Sequence, residues 1–145
     1  MQQSLIGVKG IFNNVKVPIE NMLSERGNGF KIALNILNIG RIKLGAAVMG
    51  GAKGGIDESV RYALEREQFG RSISKYGAIR HKLAEQVIQT YVVESATYRA
   101  GQNIDDAIKG LMEGGMDKAQ ATLQGIELFA PECAVIKVAG SECLD

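Results

Sequence analysis

A change of period at Phe30 constrains this chain more than any other feature. Before it, residues 5–18 mix β-branched residues with turn formers. Val8, Phe12 and the Val15-Lys16-Val17 alternation predict one or two short strands, closed by Pro18. After it, apolar residues recur at three- and four-residue spacing to the end, the period of an α-helix. Such a chain folds by packing helices on helices. The strand segment is left without a sheet of its own, and a lone strand pair is marginal in water.

Phe30, Ala33, Leu34 and Leu37 outline a short helix that starts after Gly27-Asn28-Gly29 and stops at Gly40. A second helix is expected from about Arg41 to Glu67. Its first half, from Leu44 to Ile56, is crowded with Gly and Ala, including Gly50-Gly51 and Gly54-Gly55. Each glycine costs about 1 kcal/mol against alanine in a helix, so a close neighbour is expected there, either another helix or a ligand. Residues 70–77 read as a glycine-bounded loop. Ile79, Leu83, Val87, Ile88, Tyr91, Val92, Ser95 and Tyr98 then outline a long helix to about Gly110. Gly114-Gly115 marks a turn. A last helix runs from about Asp117, broken near 127–131 because Pro131 removes a backbone donor. Long helices joined by short loops pack antiparallel. The predicted fold is therefore all-α, an up-down four-helix bundle with a short N-terminal β remnant. Residues 1–26 are read as that remnant and a linker, and 27–145 as the bundle. No helix-stop signal follows Leu144, so the bundle is expected to continue past Asp145.

Composition excludes several classes of function. The formal net charge is +1 and the 17 basic residues are scattered, so no basic stripe for nucleic acid is present. Cys133 and Cys143 are too few for a disulfide scaffold and read as thiols. His81 is the only histidine, and the residue three before it is Ala78, so the Glu-x-x-His pair of di-iron bundles is missing. It reads as a lone solvent-side histidine, and no metal is expected. Met1-Gln2-Gln3-Ser4 does not open a signal peptide. The longest uncharged apolar runs near the front, 32–40 and 44–52, are too short for a transmembrane segment, which needs about 20 residues.

Two groups could carry chemistry. Arg41, in Asn38-Ile39-Gly40-Arg41, would stand at a helix start, where the dipole disfavours a cation unless an anion such as phosphate is bound. In isolation a solvated or ion-paired arginine is the favoured reading. Arg66 suits a helix C-terminus, and an arginine beside an aromatic, here Phe69, can hold a phosphate and a planar ring. A plain helix end with Phe69 packed in the core is the competing reading.

Taken in order, these residues resemble one family, the acyl-CoA dehydrogenases. Phe-Asn-Asn-Val-Lys-Val-Pro-Ile-Glu-Asn at 12–21 is similar to the segment leaving that family's middle β-domain. Gly27-Asn28-Gly29-Phe30-Lys31-Ile32-Ala33 is similar to the helix start that follows. Residues 62–70, Tyr-Ala-Leu-Glu-Arg-Glu-Gln-Phe-Gly, match the signature Tyr-Ala-x-x-Arg-x-x-Phe-Gly. Ala78-Ile79 and Lys82-Leu83-Ala84-Glu85 follow at the family's spacing. Asn35-Ile36-Leu37-Asn38 and Gly140-Ser141-Glu142 look most like the very-long-chain branch.

The resemblance implies the C-terminal helical domain of a flavoprotein that desaturates acyl-CoA thioesters in fatty-acid β-oxidation. The cofactor would be FAD, and an electron-transfer flavoprotein would take the electrons. The assembly would be a homodimer or homotetramer, in a bacterial cytoplasm or a mitochondrial matrix. It places Arg66, Gln68 and Phe69 on the FAD of a neighbouring subunit, with Tyr76 and Gly77 nearby. It places Asn38, Gly40 and Arg41 at the acyl-CoA. Some branches carry the catalytic glutamate immediately before the arginine matched by Arg41. Gly40 stands there and cannot take a proton, so the base is expected beyond Asp145 and this chain alone is expected to be inactive. A stand-alone helical interaction module is the alternative.

Overall fold

The computed structural model describes residues 11–144. It contains helix α1 (Gly29–Glu65), a hairpin of β1 (Glu67–Gln68) and β2 (Arg71–Ser72), then α2 (Gly77–Glu113), α3 (Lys118–Leu128) and α4 (Ala130–Leu144). The expected N-terminal strands are not found in residues 11–18, where the backbone is irregular, and a 3-10 turn follows at Ile19–Asn21. No partner edge is available to them among the described residues, and unpaired strands do not persist. Val8 and the other residues before 11 lie outside the described chain.

The first correction concerns Gly40. The two helices expected on either side of it are one helix of 37 residues. A glycine stops a helix where the chain turns left-handed, and Gly40 does not do so; the positive-φ glycines are Gly27, Gly70 and Gly115. Continuing costs about 1 kcal/mol at Gly40. That cost is offset because Ile39 and Ile42, on either side, pack against the cluster of Ile104, Ile126 and Cys133. The fused helix is also long and apolar enough, by length and composition, to cross a membrane, although its uncharged apolar runs taken singly fall short of that length. Here α1 serves as a bundle helix, packing chiefly on α4 and α2.

The last helix breaks as expected. Phe129 leaves helical geometry between α3 and α4, and Pro131 falls in the first turn of α4, where a missing N–H costs nothing. The Asp117 side chain caps α3 by accepting from the amides of Ala119 and Gln120, at 2.9 and 3.3 Å. The four helices therefore differ from the prediction in one respect: the first two fuse, while the last divides as expected. Together α3 and α4 form the third leg of the bundle against the α1–α2 hairpin.

The core is built from small residues in close approach. Gly45 lies against Ile136, Gly125 against Ile108, and Gly140 against Val48. Around them Met49, Ala52, Ala100, Ala121 and Cys133 are buried. On α2 the buried stripe is Thr90, Val93, Ala100 and Ile104, not the larger apolar residues that outline the helix in the sequence. Val87, Ile88, Tyr91, Val92 and Tyr98 all lie largely exposed. Two apolar stripes share this helix. The slim one allows the interhelical distance that the glycines of α3 and α4 require, so the bulky one is left outside.

Candidate functional site

The conspicuous local structure is the hairpin after α1. Arg66 leaves the helix in extended geometry, its amide still bonded to the Tyr62 carbonyl at 2.9 Å. Glu67 then pairs with Ser72, and Gln68 with Arg71. Phe69 and Gly70 make the two-residue turn, with φ of 54° and 77°. Two successive positive φ values are what a tight hairpin of twisted strands needs. Glycine adopts this geometry freely, whereas phenylalanine is strained in it by about 1–3 kcal/mol. Phe69 is also 93% exposed, so the reading of it as a core side chain is wrong. The fold holds an aromatic ring in solvent at a conformational cost.

The hairpin is tied to helices on both sides. The Ser72 hydroxyl donates to the Ala63 carbonyl at the end of α1, at 2.8 Å. The Tyr76 hydroxyl donates to the Gln68 carbonyl at 2.8 Å, and the Arg71 guanidinium lies 4.2 Å from the centre of the Tyr76 ring. The Ile73 amide closes the loop on the Arg66 carbonyl at 2.8 Å. Gly77 is exposed at the first turn of α2 with open space beside it. The Arg66 side chain is exposed, and no carboxylate lies within 4.0 Å of it among the described residues.

The second group sits in the interior of α1. Arg41 is therefore not at a helix start, and the dipole argument made for it fails. It is half-buried and donates to the Asn38 side-chain oxygen at 2.7 Å. Asn38 is only 6% exposed, so its contact is with Arg41 rather than with solvent. Gly40 faces open space, on the same exposed side as Leu37 and Leu44. Of the glycines read as marking a close approach, Gly45 meets another helix directly and Gly51 touches Leu144. At Gly50, Gly54 and Gly55 an added Cβ would meet no other element within 4 Å among the described residues.

The structure does not bring the two groups together. From Arg41 to Glu65 the helix rises about 36 Å, so within one chain they serve separate surfaces. A cavity of about 800 Å³ lies at the far end of α1 from the hairpin. It is lined by residues such as Asn28, Lys31, Asn35 and Gln124. Asn35 is buried, and its amide nitrogen has no hydrogen-bond partner among the described residues. His81 is exposed, 3.3 Å from Glu85.

Sequence reasoning missed the hairpin and the fastening roles of Ser72 and Tyr76. The available signal was Gly70 as the second residue of a two-residue turn, obscured because Phe is not a residue favoured at the first.

This is an all-α bundle domain with two open surfaces and no enclosed reaction centre among the described residues. Residues 27–142 match the family model described as acyl-CoA dehydrogenase, C-terminal domain. The human mitochondrial very long-chain specific acyl-CoA dehydrogenase is 40% identical over 131 residues, covering 90% of this chain and 17% of that protein. A probable acyl-CoA dehydrogenase of Bacillus subtilis is 34% identical over 150 residues, covering 99% of this chain and 25% of that protein. The crystal structure of a Bacillus anthracis acyl-CoA dehydrogenase complexed with FAD superposes with a TM-score of 0.80 at 42% identity, covering 89% of this chain and 22% of that chain. The chain belongs to the acyl-CoA dehydrogenase family and carries its C-terminal helical domain. It spans about a fifth of the length of these relatives.

Proposed function

We propose that this chain supplies the helical wall of the flavin and thioester sites in an acyl-CoA dehydrogenase, with residues 1–26 as the lead-in from a β-domain and 27–145 as the bundle. The observation that carries the reading is Phe69, held at positive φ and 93% exposed, three residues after an exposed Arg66 that has no carboxylate within 4.0 Å among the described residues. A strained, exposed aromatic with an exposed cation three residues before it suits a ligand that is both planar and anionic. FAD fits that description: Phe69 and Gln68 would meet its ring systems and Arg66 its phosphates.

The separation of about 36 Å along α1 supports assigning the hairpin to the flavin of a neighbouring subunit and the Arg41 region to the thioester of its own. A homodimer or homotetramer follows. The exposed stripe Val87, Ile88, Tyr91, Val92 and Tyr98 is apolar surface of the kind such contacts cover.

A bound FAD would supply the hydride acceptor for α,β-dehydrogenation of an acyl-CoA. This chain's residues bind and orient. Arg41, steadied by Asn38, offers a fixed cation to the coenzyme, while Leu37, Gly40 and Leu44 form a smooth apolar surface that lets the acyl chain approach. Proton removal needs a carboxylate, and Gly40 offers none, so the base lies elsewhere in the protein. Electrons would leave to an electron-transfer flavoprotein. A related chain comes from a structure described as the electron transferring flavoprotein of Acidaminococcus fermentans, with a TM-score of 0.59 at 33% identity. Relatives from mitochondria and from bacteria agree with either the matrix or the bacterial cytoplasm as location.

The test is flavin content. Purified from its own reading frame, the protein is expected to carry FAD. Arg66→Ala and Phe69→Ala are each expected to weaken FAD binding about tenfold or more, the weight of a charge-assisted contact at Arg66 and of a covered aromatic ring at Phe69. Unchanged flavin content in both variants would overturn the assignment.

A further inference from the structure

Tyr76 belongs, by resemblance alone, to the set of residues near the cofactor, yet its geometry gives it a different task. Its backbone is anchored at the start of α2: its amide donates to the Ile73 carbonyl at 3.1 Å, and its own carbonyl accepts from Arg80 at 3.0 Å. From that fixed point the side chain reaches back across the loop. Its hydroxyl donates to the carbonyl of Gln68, the residue immediately before Phe69. Arg71, which follows the turn, lies across the Tyr76 ring. One side chain therefore grips the turn on both flanks, at Gln68 through the hydroxyl and at Arg71 through the ring.

The hairpin needs such a grip. Each of its strands has two residues, too few to stand alone in water. Its turn holds a phenylalanine in a conformation that phenylalanine resists. Ser72 fastens the base of the hairpin to α1 through the Ala63 carbonyl, and the Phe69 tip is 93% exposed. Without Tyr76 the turn would relax toward right-handed or extended geometry and the Phe69 ring would swing.

We propose that Tyr76 is a positioning residue: with Arg71 it locks the hairpin turn so that Phe69 is presented in one orientation, and it does not itself touch the flavin. The inference rests on the reading of Phe69 as a cofactor contact. Its physical content is preorganisation: a ring already held in place loses less freedom on binding than one that must be ordered.

Tyr76→Phe is the informative variant, because it deletes only the hydroxyl and keeps the ring under Arg71. Two measurements are made on the protein purified from its own reading frame. In hydrogen exchange followed by mass spectrometry, peptides spanning 66–76 are expected to exchange faster in Tyr76→Phe while peptides from α1, α2 and α4 are unchanged. In FAD titration, Tyr76→Phe is expected to weaken binding about 3- to 10-fold, the range of one neutral hydrogen bond. In the Phe69→Ala background the same change is expected to cost nothing further, because Tyr76 acts through Phe69. A loss of equal size in both backgrounds would mean direct flavin contact and would overturn the proposal. Unchanged exchange across 66–76 would overturn it as well, whatever the flavin does. If instead Phe69→Ala leaves FAD affinity intact while Tyr76→Phe still loosens the hairpin, the flavin reading fails and the lock itself stands.

Discussion

Two glycine-to-alanine substitutions of identical chemistry are expected to move stability in opposite directions, and only the tertiary structure says which does which. At Gly125, in α3, an added methyl carbon would stand 2.5 Å from Ile108 Cγ1, 3.3 Å from the Ile108 amide nitrogen and 3.5 Å from its Cα. Carbon contacts are comfortable at about 3.5–4.0 Å, and two of these obstacles are backbone atoms of α2. Relief requires the two helices to separate. Overpacking of this kind costs about 1–3 kcal/mol, and the better helix propensity of alanine returns at most about 1 kcal/mol. With backbone as the obstacle, the net loss for Gly125→Ala is expected to be about 1–2 kcal/mol. At Gly40 nothing lies within 4 Å of the added carbon, so Gly40→Ala keeps the propensity gain, about 0.5–1 kcal/mol. For a chain of this size each kcal/mol moves the melting temperature by about 2–4 °C. Thermal unfolding followed by far-ultraviolet circular dichroism should therefore show Gly125→Ala melting about 2–8 °C lower and Gly40→Ala about 1–4 °C higher. Urea unfolding with an unchanged slope would confirm that stability, not compactness, has moved. Equal shifts of the same sign would refute the packing argument. A destabilised Gly40→Ala would show that α1 does break there.

Three further outcomes follow from single contacts. Asp117→Ala removes the N-terminal cap of α3 and is expected to cost about 1 kcal/mol, read by the same melts; a loss near zero would mean that α3 needs no cap. Burial, together with the neighbouring Glu132, pushes the Cys133 thiol above its ordinary range, with Arg41 acting against them. Its folded value is thus above its unfolded one, so its contribution is whole below the unfolded thiol range, about 8.5, and is lost as pH rises through the folded value. Titration with a thiol reagent should modify half-buried Cys143 in the native protein and Cys133 only on unfolding; fast reaction of both would contradict the burial. Arg41→Ala is expected to raise KM for an acyl-CoA about tenfold with kcat little changed, and Asn38→Ala to raise it less. An unmoved KM would reduce Arg41 to a seam between helices.

Much of the fold was legible because helical period and turn chemistry act locally. The break at Phe129–Pro131, the long helix α2 and the turn at Gly114-Gly115 all follow from residues within a few positions of one another. The signature around Arg66 and Phe69 was legible in the same way. Its geometry was not. A phenylalanine is read as a core residue unless something outside its own stretch holds it in the open, and here that is Tyr76, reaching from the start of α2.

What the sequence determined by itself is the helical class, the positions of most turns and the family. Tertiary packing alone decided that α1 runs through Gly40 and that the slim stripe of α2 faces inward. The physical reason is common to both. A glycine's cost, a helix's inward face and a side chain's exposure depend on what lies beside them in space, and at Gly45, Gly125 and Gly140 that neighbour comes from a distant part of the chain.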